Sequence, residues 1–507
     1  MLRSITLGIL VGSLGSCYAA EPLSADVEGP PPLRREFRAA WIATVANIDW
    51  PSKPGLPVQQ LKSEMELLLA TAERLRLNAV IYQVRPACDA MYKSRLEPWS
   101  AFLTGTEGQP PPDGFDPLEF LIAEAHSRGV QVHAWLNPYR ASHPSSHGAH
   151  AADHVSKTMP SAVVQYGPYG WLDPGSKAAE DHTLQVIADV VRRYDVDGVH
   201  FDDYFYPYPV KKKDEEGKDT KEDVPFPDDR SWQEYQQNAP ADRRMSRDDW
   251  RRENVNRLIR RVGEEVHREK PWVLYGVSPF GIWRPGNPQG IVGFDPYAAL
   301  YADSRLWLQE GWVDYFTPQL YWPIESEGQS YPKLMNWWAE QNRLSRALWP
   351  GLFTSKIQRE GQDGFEPDQI VRQVEQTQQS SGAGGNVHFS IKALSKNYGG
   401  VADALAAGPY ALPAAIPVCT SRESGPAPEI PRVEWSGDQL NLKSAGTESP
   451  WQWAVHFLRE GQWSTLLVPA CKATLRVEDP SGVQAIAVRS IDRLGRESKV
   501  CMLHPDQ

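Results

Sequence analysis

The stretch VDGVHFDDYFYP, residues 196–207, decides the fold class. It predicts a short buried strand, because Val199 and Phe201 are strand-forming residues that follow an Asp-Gly turn signal. Two adjacent carboxylates, Asp202 and Asp203, come next, and they face opposite sides for as long as the strand stays regular. In a closed parallel barrel, carboxylates at the carboxyl end of a strand lie where barrel enzymes hold their catalytic groups. The alternative interpretation is an Asp pair that only caps a loop.

Strands and helices alternate on both sides of this stretch. Further strands are predicted at residues 38–44, 78–84, 130–136, 272–277, 315–321, 347–352 and 386–391. Apolar residues at helical spacing predict helices at 61–75, 117–127, 178–193, 255–266, 297–309, 334–344 and 367–378. This alternation indicates a parallel sheet, and eight such units close into a barrel. The predicted fold is therefore α/β, a (β/α)8 TIM barrel over residues 36–405.

The composition changes after residue 405. Residues 406–430 are rich in Ala, Pro and Ser and are predicted to be a linker. Short apolar runs separated by turn residues then predict a small all-β sandwich over residues 431–507. Residues 488–498 resemble the last hairpin of a fibronectin type III domain. We therefore expect a second, fibronectin type III-like domain.

The overall composition excludes some partners. A chain of 507 residues is too long for one compact core. Its net charge of −11 argues against a general nucleic-acid binder, which needs a basic surface. The 19 Trp and 19 Tyr residues suit a protein that stacks rings on sugars as well as in its core. No Cys/His cluster has zinc-site spacing, so we expect no metal and no cofactor, and a monomer by default.

The amino-terminal residues 1–20 predict an export signal. Arg3 is followed by an apolar segment, residues 5–14, that is too short to span a bilayer. The sequence LGSC at residues 14–17 resembles a bacterial lipobox, which predicts lipidation of Cys17. Plain cleavage near Ala19 or Ala20 is the alternative. Residues 21–35 predict a tether, and we expect an exported periplasmic or envelope protein, with lipid anchoring to the outer membrane as one option.

The strand junctions also carry a family resemblance. It rests on REFRAAWIATV at 35–45, NIDWP at 47–51, QVRP at 83–86, AWLNPYR at 134–140, DGVHFDDYFYP at 197–207 and TPQLYWP at 317–323. These segments resemble the bacterial glycosyl hydrolase-like 10 family over about residues 34–400. The resemblance implies a TIM-barrel glycosidase of the cell envelope, often lipid-anchored, which acts on cell-wall glycan in some members.

Glycoside hydrolysis usually needs two carboxyl groups beside the scissile bond. Asp202 is the first catalytic candidate, and the second is Asp203 or Glu325, which follows the sixth predicted strand. Asp49, after the first strand, is a further option, and a surface position is the alternative for Glu325. DGVHFDDY also resembles the fourth-strand motif of chitinase-type barrels, with Tyr204 in place of the catalytic Glu. That likeness implies Asp202 as nucleophile or acetamide-orienting group.

Polar and aromatic residues near the strand ends are candidates for substrate binding. Their amides and guanidinium groups suit sugar hydroxyls or a lactyl carboxylate, and their rings suit stacking on sugars. The candidates are Asp49, Arg85, Asn137, Tyr139, Arg140, Tyr204, Tyr206, Trp283, Gln319, Tyr321 and Trp322. The alternative for each aromatic residue is core or loop packing, which is at least as good for Trp135 inside its strand. His200, on a buried strand, is predicted to be a hydrogen-bonded core histidine.

Three other functions fit the same sequence. A non-catalytic glycan-binding protein is one, because Tyr204 replaces the acid of the chitinase motif. A glycosidase for another envelope or dietary polysaccharide is the second. A metal enzyme that uses Asp202, Asp203 and His200 is the third, although these residues lack a recognised ligand spacing.

Overall fold

The computed structural model describes residues 29–146, 148–357, 364–422, 425–447 and 449–504. The predicted signal segment and Cys17 lie outside the described residues. The chain divides into two compact units, Arg35–Ser424 and a second unit that includes Gly425–Gln507.

In the part of the first unit that the structure describes, eight parallel strands form a barrel. They are β1 Phe37–Ile42, β2 Ala79–Arg85, β3 Gln131–Leu136, β4 Gly198–Phe201, β5 Leu274–Val277, β6 Tyr315–Phe316, β7 in two pieces, Ala347–Leu348 and Gly351–Leu352, and β8 Gly385–His388. The order of hydrogen-bonded strands begins with the first piece of β7, runs from β6 down to β1, continues to β8 and ends with the second piece of β7. Because both ends of this order are the same strand, the sheet closes on itself, and the predicted barrel is confirmed.

Helices cover the outside of the barrel. The main ones are α1 Val58–Arg74, α2 Pro117–His126, α3 Lys177–Arg193, α4 Arg247–Glu269, α5 Ser304–Gln309, α6 Tyr331–Gln341, α7 Pro367–Gln379 and α8 Val401–Ala407. Shorter helices are Ala101–Thr104, Val155–Thr158, Asp229–Asn238, Pro296–Ala299 and Ile391–Ser395. In α2, Asp116 accepts hydrogen bonds from the backbone N–H groups of Leu118 and Glu119, which is why the helix begins there.

The helix predicted at 297–309 is two short helices. Pro296–Ala299 ends before Tyr301, and Ser304–Gln309 begins after it. Tyr301 has a left-handed φ of 53°, which a continuous right-handed helix does not allow. Its hydroxyl accepts a hydrogen bond of 2.6 Å from Arg251, so a tertiary contact accompanies the break.

The pairing of the central strands determines where the candidate site begins along the chain. Trp135 of β3 is opposite His200 of β4, and Phe201 of β4 is opposite Val277 of β5. β4 ends at Phe201, so the two carboxylates follow directly at the carboxyl end of the barrel. His200 is fully buried, and its Nε2 accepts a 3.1 Å hydrogen bond from Trp41, which confirms a hydrogen-bonded core histidine.

Two loops on this face have structure of their own. The loop after β3 contains a three-stranded antiparallel sheet of Arg140–Ser142, Val163–Tyr166 and Tyr169–Leu172. The loop after β4 contains an exposed antiparallel pair, Lys211–Lys213 with Asp219–Asp223. These insertions lengthen the barrel sequence without adding barrel strands.

Part of the segment predicted as a linker packs within the barrel unit. Tyr410 is fully buried, and the Arg38 guanidinium lies 4.5 Å from its ring centroid. The backbone N–H of Glu36 donates to the carbonyl oxygen of Ala415 at 3.0 Å. These contacts explain why the compact unit extends to Ser424.

Within its described residues, the second unit contains seven antiparallel strands in two sheets. They are β9 Arg432–Ser436, β10 Gln439–Lys443, β11 Gln452–Arg459, β12 Gln462–Pro469, β13 Thr474–Arg476, β14 Ala485–Ile491 and β15 Cys501–Leu503. One sheet has the order β9-β10-β13 and the other β12-β11-β14-β15. Val433 and Leu440 from one sheet share a core with Val455 and Ile486 from the other. The unit is therefore a small β-sandwich, and its fibronectin type III character stays a prediction.

Within the described ranges, every helix is too short or too polar to cross a bilayer.

Candidate active site

Asp202 is held by several donors at the barrel mouth. Its carboxylate accepts hydrogen bonds from Trp135 Nε1 at 3.0 Å, Asn137 Nδ2 at 3.1 Å and the backbone N–H of Tyr204 at 3.3 Å. Burial raises the pKa of Asp202, while the Arg140 charge and these hydrogen bonds oppose that rise. Asp202 is therefore fixed in orientation by groups that favour its anion.

Asn137 is itself fixed by the loop after β3. Its Oδ1 accepts from the backbone N–H groups of Arg140 at 2.7 Å and Tyr139 at 3.2 Å. The Arg140 guanidinium donates to the Pro86 carbonyl at 3.1 Å and lies 4.5 Å from the Tyr204 ring centroid. Asn137 and Arg140 thus position Asp202 and Tyr204, and Asn137 has no exposed surface for a ligand.

Asp203 has a different set of partners. It accepts hydrogen bonds from the Tyr208 hydroxyl and from Gln319 Nε2, the latter at 3.1 Å. Gln319 is oriented by a second hydrogen bond, 2.9 Å long, to the carbonyl of Ser278. Burial and the negative charge of Asp202 raise the pKa of Asp203 to about 6, although Tyr208 and Gln319 favour its anion. The Asp203 carboxyl can therefore hold a proton close to neutral pH.

Both carboxyl groups belong to one site. The opposite-face rule applies only within a regular strand, and β4 ends at Phe201, before either Asp. The two residues are adjacent in the chain, and their donors Asn137 and Gln319 both lie just after barrel strands. Each has 5% of its surface exposed, so both carboxyl groups are largely removed from water.

The structure does not bring Glu325 to this pair. Its side chain is 58% exposed and forms an ion pair with Arg372 of α7. The hydrogen bond from Arg372 lowers the pKa of Glu325. Among the described residues, the contacts of Glu325 do not lead to Asp202 or Asp203, so its position matches the surface-loop alternative.

Arg85 lies behind the site and not in the mouth. It is fully buried and donates to Glu97 at 2.8 Å and to the Asn137 carbonyl at 2.8 Å. Burial raises the pKa of Glu97, but Arg85 and a hydrogen bond from His182 outweigh it and hold that pKa at about 2. Arg85 therefore supports the backbone of Asn137, and the side chain of Asn137 donates to Asp202.

Three other predicted binding residues lie in the interior. Tyr206 is 1% exposed and packs edge-on against Tyr301. Tyr139 is equally buried, and burial raises the pKa of its hydroxyl. Asp49 accepts from the Ala43 N–H at 2.7 Å, and burial raises its pKa to about 6. In this conformation these side chains stabilise the barrel and do not face a ligand.

The remaining aromatic candidates are partly exposed. Tyr321 packs on Phe353, with ring centroids 4.9 Å apart, and it lies two residues after Gln319, which donates to Asp203. Trp322 follows it on the same loop. Trp283 donates to Asp303 at 3.0 Å and lies among the loops after β5. Tyr321 and Trp322 are therefore better placed for a ligand than Trp283.

Two residues that hold the carboxyl groups were not predicted. Tyr208 lies between Pro207 and Pro209, directly after an aromatic run, and this pattern indicates rings but no hydrogen bond to Asp203. For Trp135 the sequence leaves sugar stacking and packing inside β3 both open, and neither includes the hydrogen bond that its indole N–H donates to Asp202. The pairing of β3 with β4 brings Trp135 to Asp202, and the loop after β4 brings Tyr208 back to Asp203.

One group of possible metal ligands lies elsewhere in the described residues. Glu107, His150 and His154 each place a ligand atom within 4.8 Å of the others. However, His154 contacts the Ala141 carbonyl with Nε2 and accepts from the Ser156 N–H with Nδ1, so neither ring nitrogen is free. In this structure the three residues connect loops through hydrogen bonds.

Comparison with known proteins gives close relatives. The family model for glycosyl hydrolase-like 10 matches residues 36–366. Glycosyl hydrolase YngK of Bacillus subtilis (strain 168) is 35% identical over 521 residues, which cover 98% of each chain. Glycosyl hydrolase DigH of Escherichia coli (strain K12) is 33% identical over 393 residues, or 72% of this chain and 85% of DigH.

Among solved structures, the PgaB (BpsB) glycoside hydrolase domain from Bordetella bronchiseptica aligns with a TM-score of 0.47 and 15% identity. The alignment covers 74% of this chain and 98% of that domain.

Proposed function

The chain belongs to the glycosyl hydrolase-like 10 family and is a glycoside hydrolase, and we propose that it is exported and cleaves bacterial cell-wall glycan. The substrate class is an N-acetylhexosamine-containing strand of the peptidoglycan type. The observation that carries the proposal is the pair Asp202 and Asp203 at the carboxyl end of β4. Two carboxyl groups in unlike environments are what glycoside hydrolysis requires.

We assign the proton to Asp203 and the negative charge to Asp202. A general acid works best with a pKa near the working pH, and the pKa of Asp203 is raised to about 6. Asp202 accepts hydrogen bonds from Trp135, Asn137 and the Tyr204 N–H, which stabilise an anion. Asp203 then protonates the leaving oxygen, while Asp202 acts as nucleophile or orients the substrate's acetamido group.

The location and the substrate rest on the sequence. The signal pattern of residues 1–20, with Cys17 as a lipidation site, supports export to the periplasm or envelope. The family resemblance supports cell-wall glycan, and the partly exposed Tyr204, Gln319, Tyr321 and Trp322 supply groups that can bind sugars. The three- and four-stranded sheets of the second unit support a fibronectin type III-like spacer.

The test is digestion of purified cell-wall glycan strands, with and without stem peptides, read by mass spectrometry. The protein without the predicted signal segment, residues 1–20, should generate new reducing ends. Its Asp202→Asn and Asp203→Asn variants should generate few or none. The sugar at those ends identifies the bond. Intact strands after digestion, with cleavage of a different polysaccharide, would overturn the cell-wall substrate, and full activity of Asp202→Asn would overturn its catalytic role.

A further inference from the structure

A row of four partly exposed aromatic rings leads away from Asp203. The Tyr208 and Phe294 rings stack with centroids 5.3 Å apart, Phe294 and Phe280 are 5.5 Å apart, and Phe280 and Trp322 are also 5.5 Å apart. All four are partly exposed and pack on the barrel core from outside. The row therefore presents a continuous aromatic surface and is not part of the buried core.

The row is joined to the catalytic pair at two points. At one end the Tyr208 hydroxyl donates to Asp203. Further along, Phe280 forms a backbone bridge with Gln319, which also donates to Asp203. Because the rings come from the loops after β4, β5 and β6, which are neighbouring strands, the row follows the rim of the barrel mouth.

Gly281 lets the loops after β5 and β6 approach each other closely. A Cβ added at Gly281 would collide with the Gln319 carbonyl and would lie 2.9 Å from the Trp322 ring. Glycine is therefore required where the loop after β5 approaches the loop after β6. This close approach brings Phe280 and Trp322 into contact.

We propose that Tyr208, Phe294, Phe280 and Trp322 form a sugar-binding track that holds several units of a glycan chain on one side of Asp203. The apolar C–H faces of sugar rings suit flat, uncharged aromatic surfaces. A chain held along the rim leads directly to the proton donor, so the enzyme favours long substrates. This inference deepens the proposed function and rests on it for the identity of the glycan.

The test compares Phe294→Leu and Trp322→Leu with the wild-type protein. Leucine keeps apolar volume but removes the flat ring, and the two residues lie on different loops, so a folding defect in one leaves the other informative. Trp272→Leu is the matched control, because Trp272 is 40% exposed and precedes β5 at the opposite end of the barrel. The substrates are long glycan strands without stem peptides and tetrasaccharide fragments of the same strands.

We expect the KM for long strands to rise about three- to tenfold in each track variant. The kcat of Phe294→Leu on tetrasaccharides should stay within about twofold, and Trp272→Leu should match the wild type on both substrates. Equal losses on both substrate lengths, or unchanged KM on long strands, would overturn the track.

A binding measurement distinguishes failure of this inference from failure of the proposed function. Co-sedimentation measures how much of the same long strands the protein binds, whether or not it cleaves them. Wild-type binding that weakens in Phe294→Leu and Trp322→Leu supports the track even when no strand is cut, and then only the proposed hydrolysis fails. Absence of wild-type binding overturns the track, while the digestion test still decides the proposed hydrolysis.

Discussion

The loops after β4 and β6 place carboxylates in opposite environments. Asp203, after β4, is 5% exposed, hydrogen-bonded to Tyr208 and Gln319, and has its pKa raised to about 6. Glu325, after β6, has a 58% exposed side chain paired with Arg372, and its pKa is lowered. In sequence, both follow a barrel strand and an aromatic residue.

The difference shows that burial and neighbouring charge decide which carboxyl group can act as an acid. Removing a carboxylate from water penalises its charged form, and a nearby anion adds to that penalty. Asp203 experiences both effects, whereas Glu325 lies in water beside a cation. Four predictions, made from three substitutions, break or sharpen this contrast.

The largest effect is expected for Asp203→Asn. Asparagine keeps an oxygen for Tyr208 but cannot donate a catalytic proton, so kcat/KM should fall about 10²- to 10⁴-fold. Initial rates on purified glycan strands provide the measurement. A loss smaller than about threefold would exclude Asp203 as the acid.

The same substitution should change how stability depends on pH. Because the folded pKa of Asp203 is raised from 3.8 to about 6, its contribution to stability is full below about pH 4 and is lost as pH rises through 6. Asparagine is neutral throughout, so at pH 8 the variant should be more stable by about 2 to 3 kcal/mol. Urea unfolding at pH 4 and pH 8 tests this. A difference of equal size at both pH values would contradict it.

A smaller, directional effect is expected for Tyr208→Phe. The Tyr208 hydroxyl favours the anion of Asp203, so its removal should raise the pKa of Asp203. The alkaline limb of the kcat profile should move up by about one pH unit. Tyr235→Phe is the control, because the Tyr235 hydroxyl contacts backbone atoms of Arg243 and Met245 in its own loop. A shift of the alkaline limb toward lower pH would refute the assignment of Asp203 as the general acid.

The smallest effect is expected for Glu325→Gln. An exposed ion pair on a surface loop contributes little, so activity should stay within about twofold at every pH tested. Rates measured beside those of Asp203→Asn complete the comparison. A loss of 100-fold or more would make Glu325 the acid and reverse the roles of the two loops.

Much of the fold was predictable because it depends on repeating local patterns. Each of the eight predicted strands overlaps an observed one, and seven predicted helices overlap observed helices. The helix at 297–309 is interrupted at Tyr301, whose contact with Arg251 lies far away in sequence. The segment around Tyr410 packs against Arg38, which composition could not indicate.

The site was less predictable than the fold. Strand ends placed Asp202, Asp203 and Gln319 at one barrel face, but the same rule nominated Arg85 and Tyr206, which are buried. Position after a strand gives the end of the barrel on which a residue lies. It does not give the direction of the side chain or the groups that cover it.

The sequence by itself determined the barrel, the β-sandwich and the location of two carboxylates after β4. Hydrophobic periodicity and turn residues are local properties, and they fix secondary structure and its order. Only the tertiary structure decided that Trp135 and Asn137 hold Asp202, that Tyr208 and Gln319 hold Asp203, and that Glu325 faces solvent. A pKa depends on burial and on charges brought together from distant parts of the chain, so the closed barrel was needed to tell the two carboxylates apart.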